Sequence, residues 1–180
     1  GCRNEKKIFA HNDMEQLEEL LQQVPVDQPK LIVFESVYSM SGTIAPVKDI
    51  IALARKYQAL TYVDEVHAVG LYGKTGAGIL EQEDVQSSFD IVNGTLSKAI
   101  GVFGGYIAAS SVLIDFIRSF GRGFIFTTSL PPAICAAANT SIQLIQREEN
   151  RRRQFFSNVQ HLRQSLTENG VDFKPNPSHI

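Results

Sequence analysis

Short apolar runs alternate along this chain with longer stretches in which apolar residues recur every three or four positions. Leu31-Ile32-Val33-Phe34 predicts a buried strand. The stretch from about Pro46 to Tyr57 puts Val47, Ile50, Ile51 and Ala54 on one face of a helix, with proline in its first turn. Leu60 to Val63 predicts a second strand, Phe89-Asp90-Ile91-Val92 a third, and Tyr106-Ile107-Ala108-Ala109 a fourth. A helix follows near Val112 to Phe120, then a fifth strand from Phe124 to Thr127. A long helix begins near Pro132 and runs, with a break or bend, toward Glu168. This alternation with short connections predicts an α/β fold, a mostly parallel sheet flanked by helices. Ligands in such sheets bind at the carboxyl ends of the strands. Ser39, Asp64, Lys98 and Thr127 all fall at or just after predicted strand ends, so different strands would bring them to one place.

Composition narrows the classes. With 180 residues, 43% of them hydrophobic, the chain can bury one sizeable core. Seventeen basic against nineteen acidic residues give a net charge of -2, which leaves no nucleic-acid footprint. Arg151-Arg152-Arg153 reads as the solvated face of a helix. Cys2 and Cys135 are too few for a disulfide framework, which favours a reducing compartment. No signal peptide, membrane span or low-complexity segment is evident, so no membrane partner is expected. The chain opens on Gly1 without an initiator Met and stops at Pro177-Ser178-His179-Ile180, where a strand is expected to begin. It therefore reads as an internal segment, with residues 1–170 in one large domain and 171–180 at the start of a second.

The chemistry concentrates around one lysine. Lys98 sits in Gly94-Thr95-Leu96-Ser97-Lys98-Ala99-Ile100-Gly101, followed at once by Val102-Phe103-Gly104-Gly105-Tyr106. Glycines let backbone approach a planar ligand closely, and a lysine partly desolvated in such a cradle can attack a carbonyl to form a Schiff base. Asp64, at the end of the apolar run Leu60 to Val63, supplies the carboxylate that would keep a pyridine nitrogen protonated if that carbonyl belonged to pyridoxal phosphate. Taken singly, each residue has a plainer reading: a turn lysine, a capping aspartate, a polar histidine at His67. The combination is what points to chemistry. A second motif, Ala68-Val69-Gly70-Leu71-Tyr72-Gly73-Lys74-Thr75, nearly spells a phosphate-binding loop. The glycines of Gly76-Ala77-Gly78 then follow where a helix should start, at a cost of about 1 kcal/mol each relative to alanine, and this weighs against an NTPase.

Four strings in order, Phe34-Glu35-Ser36-Val37-Tyr38-Ser39-Met40, Val63-Asp64-Glu65-Val66-His67-Ala68-Val69-Gly70, Gly94-Thr95-Leu96-Ser97-Lys98-Ala99 and Gly123-Phe124-Ile125-Phe126-Thr127-Thr128-Ser129-Leu130-Pro131-Pro132, resemble the α-oxoamine synthases. These are fold-type I pyridoxal phosphate enzymes, and the second and fourth strings look like the 5-aminolevulinate synthase branch. The resemblance runs from Lys7 to Ile180. It implies that the chain is part of the large domain of a PLP-dependent transferase. By that resemblance Lys98 bonds the cofactor and shuttles the glycine proton, Asp64 pairs with the pyridine nitrogen, and His67 and Ser39 lie near the ring's phenolic oxygen. Thr95 matches a phosphate ligand, and Thr127 and Thr128 match residues that reach the phosphate across a homodimer interface. Ser41, Ser97 and Ile100 depart from the usual family residues without removing a required group.

The implied reaction condenses glycine with succinyl-CoA, releasing CoA and carbon dioxide and giving 5-aminolevulinate for tetrapyrrole and haem synthesis. The alternatives are sister enzymes of the 2-amino-3-ketobutyrate ligase or 8-amino-7-oxononanoate synthase type. A non-catalytic subunit is disfavoured because Lys98 is present. The implied compartment is the bacterial cytoplasm, or the mitochondrial matrix in a eukaryote. By the same resemblance, a phosphate-binding loop, a ring-stacking histidine and the acyl-CoA grip belong before Gly1, and an arginine for the amino-acid carboxylate belongs after Ile180.

Overall fold

Three parallel strands, β1 (Leu31–Glu35), β2 (Leu60–Asp64) and β3 (Ile91–Thr95), lie side by side in chain order, and β4 (Gly105–Ala109) closes the sheet antiparallel to β3. This is the architecture of a computed structural model that describes residues 4–180; Cys2 lies outside the described residues. The mostly parallel α/β sheet expected from the alternation is therefore present. Its register sets Glu35 opposite Asp64 and Asp64 opposite Asn93. That row marks the carboxyl ends of the three parallel strands.

The main core lies on one face of β1 and β2. Ile32, Phe34, Thr61 and Val63 point into it, while Leu31, Val33 and Leu60 on the opposite face stay exposed. Helix α1 (Met14–Gln22) and helix α2 (Val47–Lys56) cover the buried face with Leu17, Leu21, Val47, Ile50, Ile51 and Ala54. Pro46 stands at the N-cap of α2 rather than inside it. Helix α1 is absent from the sequence reading although its signals are present: Asp13 caps the Gln16 N–H at 2.9 Å, and Leu17 and Leu21 repeat on one face.

Three expected elements differ. The third strand begins at Ile91, two residues later than Phe89. Asp90 is occupied otherwise, since its Oδ2 accepts the Thr61 N–H (2.8 Å) and hydroxyl (2.9 Å) and its own N–H donates to Thr61 Oγ1 (3.0 Å). Phe124 to Thr127 forms no strand. Residues Arg122–Ile125 make a short helix, α5, directly after α4 (Ser111–Phe120). Among the described residues no strand lies beyond β4 to pair with this segment, so its backbone groups are satisfied locally, Ile125 N–H donating to the Gly121 carbonyl at 3.0 Å. Residues 177–180 also form no strand; Ser178 is buried and the His179 N–H donates to Tyr72 Oη at 3.2 Å.

The long C-terminal helix breaks at Glu148 into α6 (Pro132–Arg147) and α7 (Glu149–Glu168), as the sequence predicts. The solvated-face reading holds for Arg151 and Arg153 but not for Arg152, which is buried. Its guanidinium donates to the carbonyls of Ile145 and Lys74, fastening α7 to the turn after β2. Five donors on one planar group make arginine suited to collecting such carbonyls. No helix among the described residues is long and apolar enough to cross a membrane.

Because Thr61 is buried and takes its bonds from one carboxylate, Asp90→Ala leaves a buried N–H and hydroxyl without an acceptor. The expected loss is about 1–3 kcal/mol in a denaturant titration. A midpoint unchanged from wild type would mean that Asp90 does not set the start of β3.

Candidate functional site

The residues singled out in the sequence gather where the parallel strands end. Ser39 follows β1, and its N–H donates to Glu35 Oε2 at 2.7 Å. Asp64 ends β2, with Oδ1 accepting the Val66 N–H at 2.8 Å in a tight turn. His67 lies in that turn, and its Nε2 is 3.0 Å from Lys98 Nζ on the loop after β3. Thr95 ends β3; its hydroxyl bonds Ser97 Oγ at 2.7 Å and the Gly104 carbonyl at 3.2 Å. The backbone thus delivers an amine, an imidazole, a carboxylate and two hydroxyls from three strand ends.

The lysine loop is held by its apolar residues. Leu96 and Ile100 are buried with Ala138 in a second, smaller cluster that includes Val69, Val102 and Leu130. The Val102 N–H closes the loop on the Leu96 carbonyl at 2.8 Å, and Ser141 Oγ donates to the Ile100 carbonyl at 2.8 Å. With these two residues pinned, Ser97, Lys98 and Ala99 are turned outward. Lys98 is exposed, so the partly desolvated cradle expected for it is not formed by these residues. Gly94 serves a neighbour instead: a Cβ there would stand 2.3 Å from Tyr106 Cζ, so this glycine admits the tyrosine ring. At Gly101, where φ is +77°, nothing lies within 4 Å of a Cβ position, so the space beside the loop is open.

Glu65 is the residue that the sequence reading passed over. It is fully buried, and its carboxylate accepts from Ser36 Oγ (2.6 Å), Leu80 N–H (2.8 Å) and Ile79 N–H (3.1 Å). The two amides open a short helix, α3 (Ile79–Gln82). Burial pushes the Glu65 carboxyl above the ordinary glutamate range, against the pull of the Ser36, Leu80 and Ile79 bonds and with a further push from Asp64. A charged residue next to another at the end of an apolar strand, with His two positions on, reads naturally as surface. Only the return of the chain at Gly78-Ile79-Leu80 buries it.

The phosphate-loop reading of Gly73-Lys74-Thr75 fails on the same return. No helix begins at Lys74-Thr75, and the chain's own carboxylate fills the place of an anion. Glu81 accepts the Thr75 N–H (3.0 Å), the Thr75 hydroxyl (2.8 Å) and the Ala77 N–H (2.9 Å). Thr127 and Thr128 are exposed between α5 and α6, and no hydrogen bond joins them to Lys98, His67 or Asp64 among the described residues. Nor do the described residues contain a cluster of His, Cys, Asp and Glu able to hold a metal ion.

The raised Glu65 pKa has a signed consequence. The folded state binds the proton more tightly than the unfolded chain, so the contribution of this group is fully present below its ordinary value of 4.5. It is lost as pH rises through the higher folded value, at no more than about 1.4 kcal/mol per pH unit. Melting curves from pH 4.5 upward should show this slope in wild type and lose it in Glu65→Gln. Equal slopes in the two proteins would show that burial does not raise the Glu65 pKa in the folded state.

A family model described as aminotransferase class I and II matches residues 2–180. The chain is 53% identical to 5-aminolevulinate synthase of Rickettsia bellii, covering 100% of this chain and 44% of that protein. It is 50% identical to the mitochondrial 5-aminolevulinate synthase of Schizosaccharomyces pombe, covering 100% of this chain and 33% of that one. The chain therefore spans less than half the length of these curated relatives. Among solved structures it resembles a lysine-to-alanine variant of serine palmitoyltransferase from S. paucimobilis with a bound PLP–myriocin aldimine, at a TM-score of 0.83 and 37% identity over 88% of this chain and 40% of that one. The family match runs through β1 to β4 and every strand-end residue described above, and on that match the chain belongs to the class I and II aminotransferase family.

Proposed function

We infer that this chain carries the cofactor centre of a PLP-dependent acyltransferase, a 5-aminolevulinate synthase that condenses glycine with succinyl-CoA to give 5-aminolevulinate, CoA and carbon dioxide. The observation that carries this reading is Lys98 Nζ at 3.0 Å from His67 Nε2, in a strand-end turn that also holds Asp64. Identity of 53% to a 5-aminolevulinate synthase supports that substrate pair over a sister synthase, the serine palmitoyltransferase likeness standing at 37%. The reading places the reaction in the bacterial cytoplasm or the mitochondrial matrix, in keeping with the two relatives.

The residues fit pyridoxal phosphate. An exposed amine, open space beside Gly101, and a carboxylate, an imidazole and hydroxyls from neighbouring strands suit an aldehyde on a planar, anionic, nitrogen-containing ring. Lys98 would hold it through Nζ, Asp64 would keep a proton on its ring nitrogen, and His67 and Ser39 would face its phenolic oxygen. Thr95 would serve its phosphate, together with Thr127 and Thr128 supplied by a second copy in a homodimer. When bound, PLP supplies an electron sink for charge developing on glycine. Lys98 Nζ, once free, takes the glycine α-proton, and His67 Nε2 orients that nitrogen through their hydrogen bond.

Two measurements test the reading in the holoenzyme. Borohydride should fix the cofactor on Lys98, and Lys98→Ala should abolish turnover; fixation on Lys74 would overturn the assignment. Asp64→Ala should lower kcat by at least about a hundredfold, since a carboxylate facing a buried cation is worth several kcal/mol when removed. Near-normal turnover would make Asp64 a turn cap only.

Thr127 and Thr128 are exposed and, among the described residues, not hydrogen-bonded to Lys98, which is compatible with a site shared between two copies. An inactive Lys98→Ala chain mixed with an inactive Thr127→Ala/Thr128→Ala chain should regain part of the activity, because one heterodimer site is intact. Heterodimers without recovery would place both threonines outside the partner's site.

A further inference from the structure

Glu65 lies between Asp64 and His67, yet its side chain joins neither. Its backbone is fixed at both ends of the turn: its N–H donates to the Asn93 carbonyl of β3 at 2.9 Å, and its carbonyl accepts from Ala68 N–H (2.8 Å) and Val69 N–H (2.9 Å). Its carboxylate is fixed by Ser36 Oγ and by the Ile79 and Leu80 amides at 2.6–3.1 Å. Ser36 is itself buried and locked, its N–H on the Asp64 carbonyl at 2.9 Å and its carbonyl accepting the Ala45 N–H at 2.9 Å. His67 therefore hangs on a turn whose first residue is clamped to β1, β3 and α3 at once.

The clamp matches a carboxylate of this length. Three donors converge on two oxygens, a set that a carboxylate can accept in full. A glutamine amide offers one oxygen and turns an N–H₂ toward at least one of those donors. The approach is also close. A Cβ on Gly78, where φ is +117°, would stand 2.7 Å from Glu65 Oε2, so the returning chain passes over the carboxylate only as glycine.

We propose that Glu65 is a positioning residue for the reacting lysine: its clamped carboxylate fixes the turn from 65 to 69 and so holds His67 Nε2 within hydrogen-bond distance of Lys98 Nζ. The proposal rests on the functional reading only in taking Lys98 as the reacting amine. Ordered surroundings of this kind decide whether a reactive pair is aligned or merely present.

The test separates the two claims by using cofactor-free as well as loaded protein. Isotope-labelled histidine reports the His67 ring resonances, assigned with His67→Asn, and in cofactor-free wild type they should move when Lys98 is replaced by alanine. In Glu65→Gln the same replacement should leave them unmoved. In Ser36→Ala, which removes one donor and preserves the charge, the response should fall by roughly half or more. In the holoenzyme Glu65→Gln should lower kcat about tenfold or more with KM for glycine nearly unchanged, the pattern of lost alignment. An undiminished resonance response in the variants overturns the proposal whatever happens to kcat. If Glu65→Gln does not fold, Ser36→Ala decides alone by the same readout. If the loaded protein lacks acyl transfer while the resonances behave as expected, the functional reading falls and the positioning role stands.

Discussion

One buried carboxylate joins the pieces on which the site depends. An isolated charge out of water is costly, and Glu65 is tolerated because a hydroxyl and two helix-opening amides converge on it. Remove that convergence and three things lose their reason together: the return of the chain at Gly78, the short helix α3, and the turn that follows β2. Its raised pKa shows that the bonds do not fully offset desolvation. Buried polar groups of this kind add less to stability than to uniqueness of arrangement in some systems. Here the uniqueness concerns the direction in which His67 leaves the sheet.

The lysine side of the site is built by a different device. Among the described residues no charged group pairs with Lys98; the burial of Leu96 and Ile100 two residues to either side holds the loop, and Lys98 is left at its crest. One half is thus fixed by hydrogen bonds to a buried carboxyl group and the other by apolar anchoring against α6. The His67–Lys98 bond spans the two halves. Arg152 ties them from behind, since it binds the carbonyl of Lys74 in the β2 turn region and that of Ile145 in α6.

Much of this was legible in the chain, for physical reasons that can be named. Apolar runs such as Leu31 to Phe34 and Leu60 to Val63 gave strands because period and length agree, and Lys98 stood out because glycines flank it. The start of β3 was misjudged because Asp90 spends its side chain on Thr61, a bond between residues far apart in sequence. The expected strand at Phe124 to Thr127 has no neighbour among the described residues: β-propensity describes fit to a sheet surface, and without a partner Phe124 and Ile125 end a short helix while Phe126 and Thr127 follow it outside regular structure. Arg152 reads as exposed in sequence, and Glu65 draws no role there, because charged residues usually face solvent. Their burial depends on which distant backbone groups the fold turns toward them.

The architecture also separates alignment from exclusion of water. Asp64 and His67 sit on a turn with little freedom, while Lys98 remains exposed. Hydrogen bonds and charges act far more strongly in a dry site than in a wet one. The described residues supply the geometry of the amine and its partners but leave Lys98 facing solvent. Under the functional reading, the bound cofactor and a second copy bringing Thr127 and Thr128 supply the cover. On that account an isolated aligned pair is poorly reactive, and reactivity toward glycine arises only when the rigid turn, the cofactor and the neighbouring subunit close on the same nitrogen.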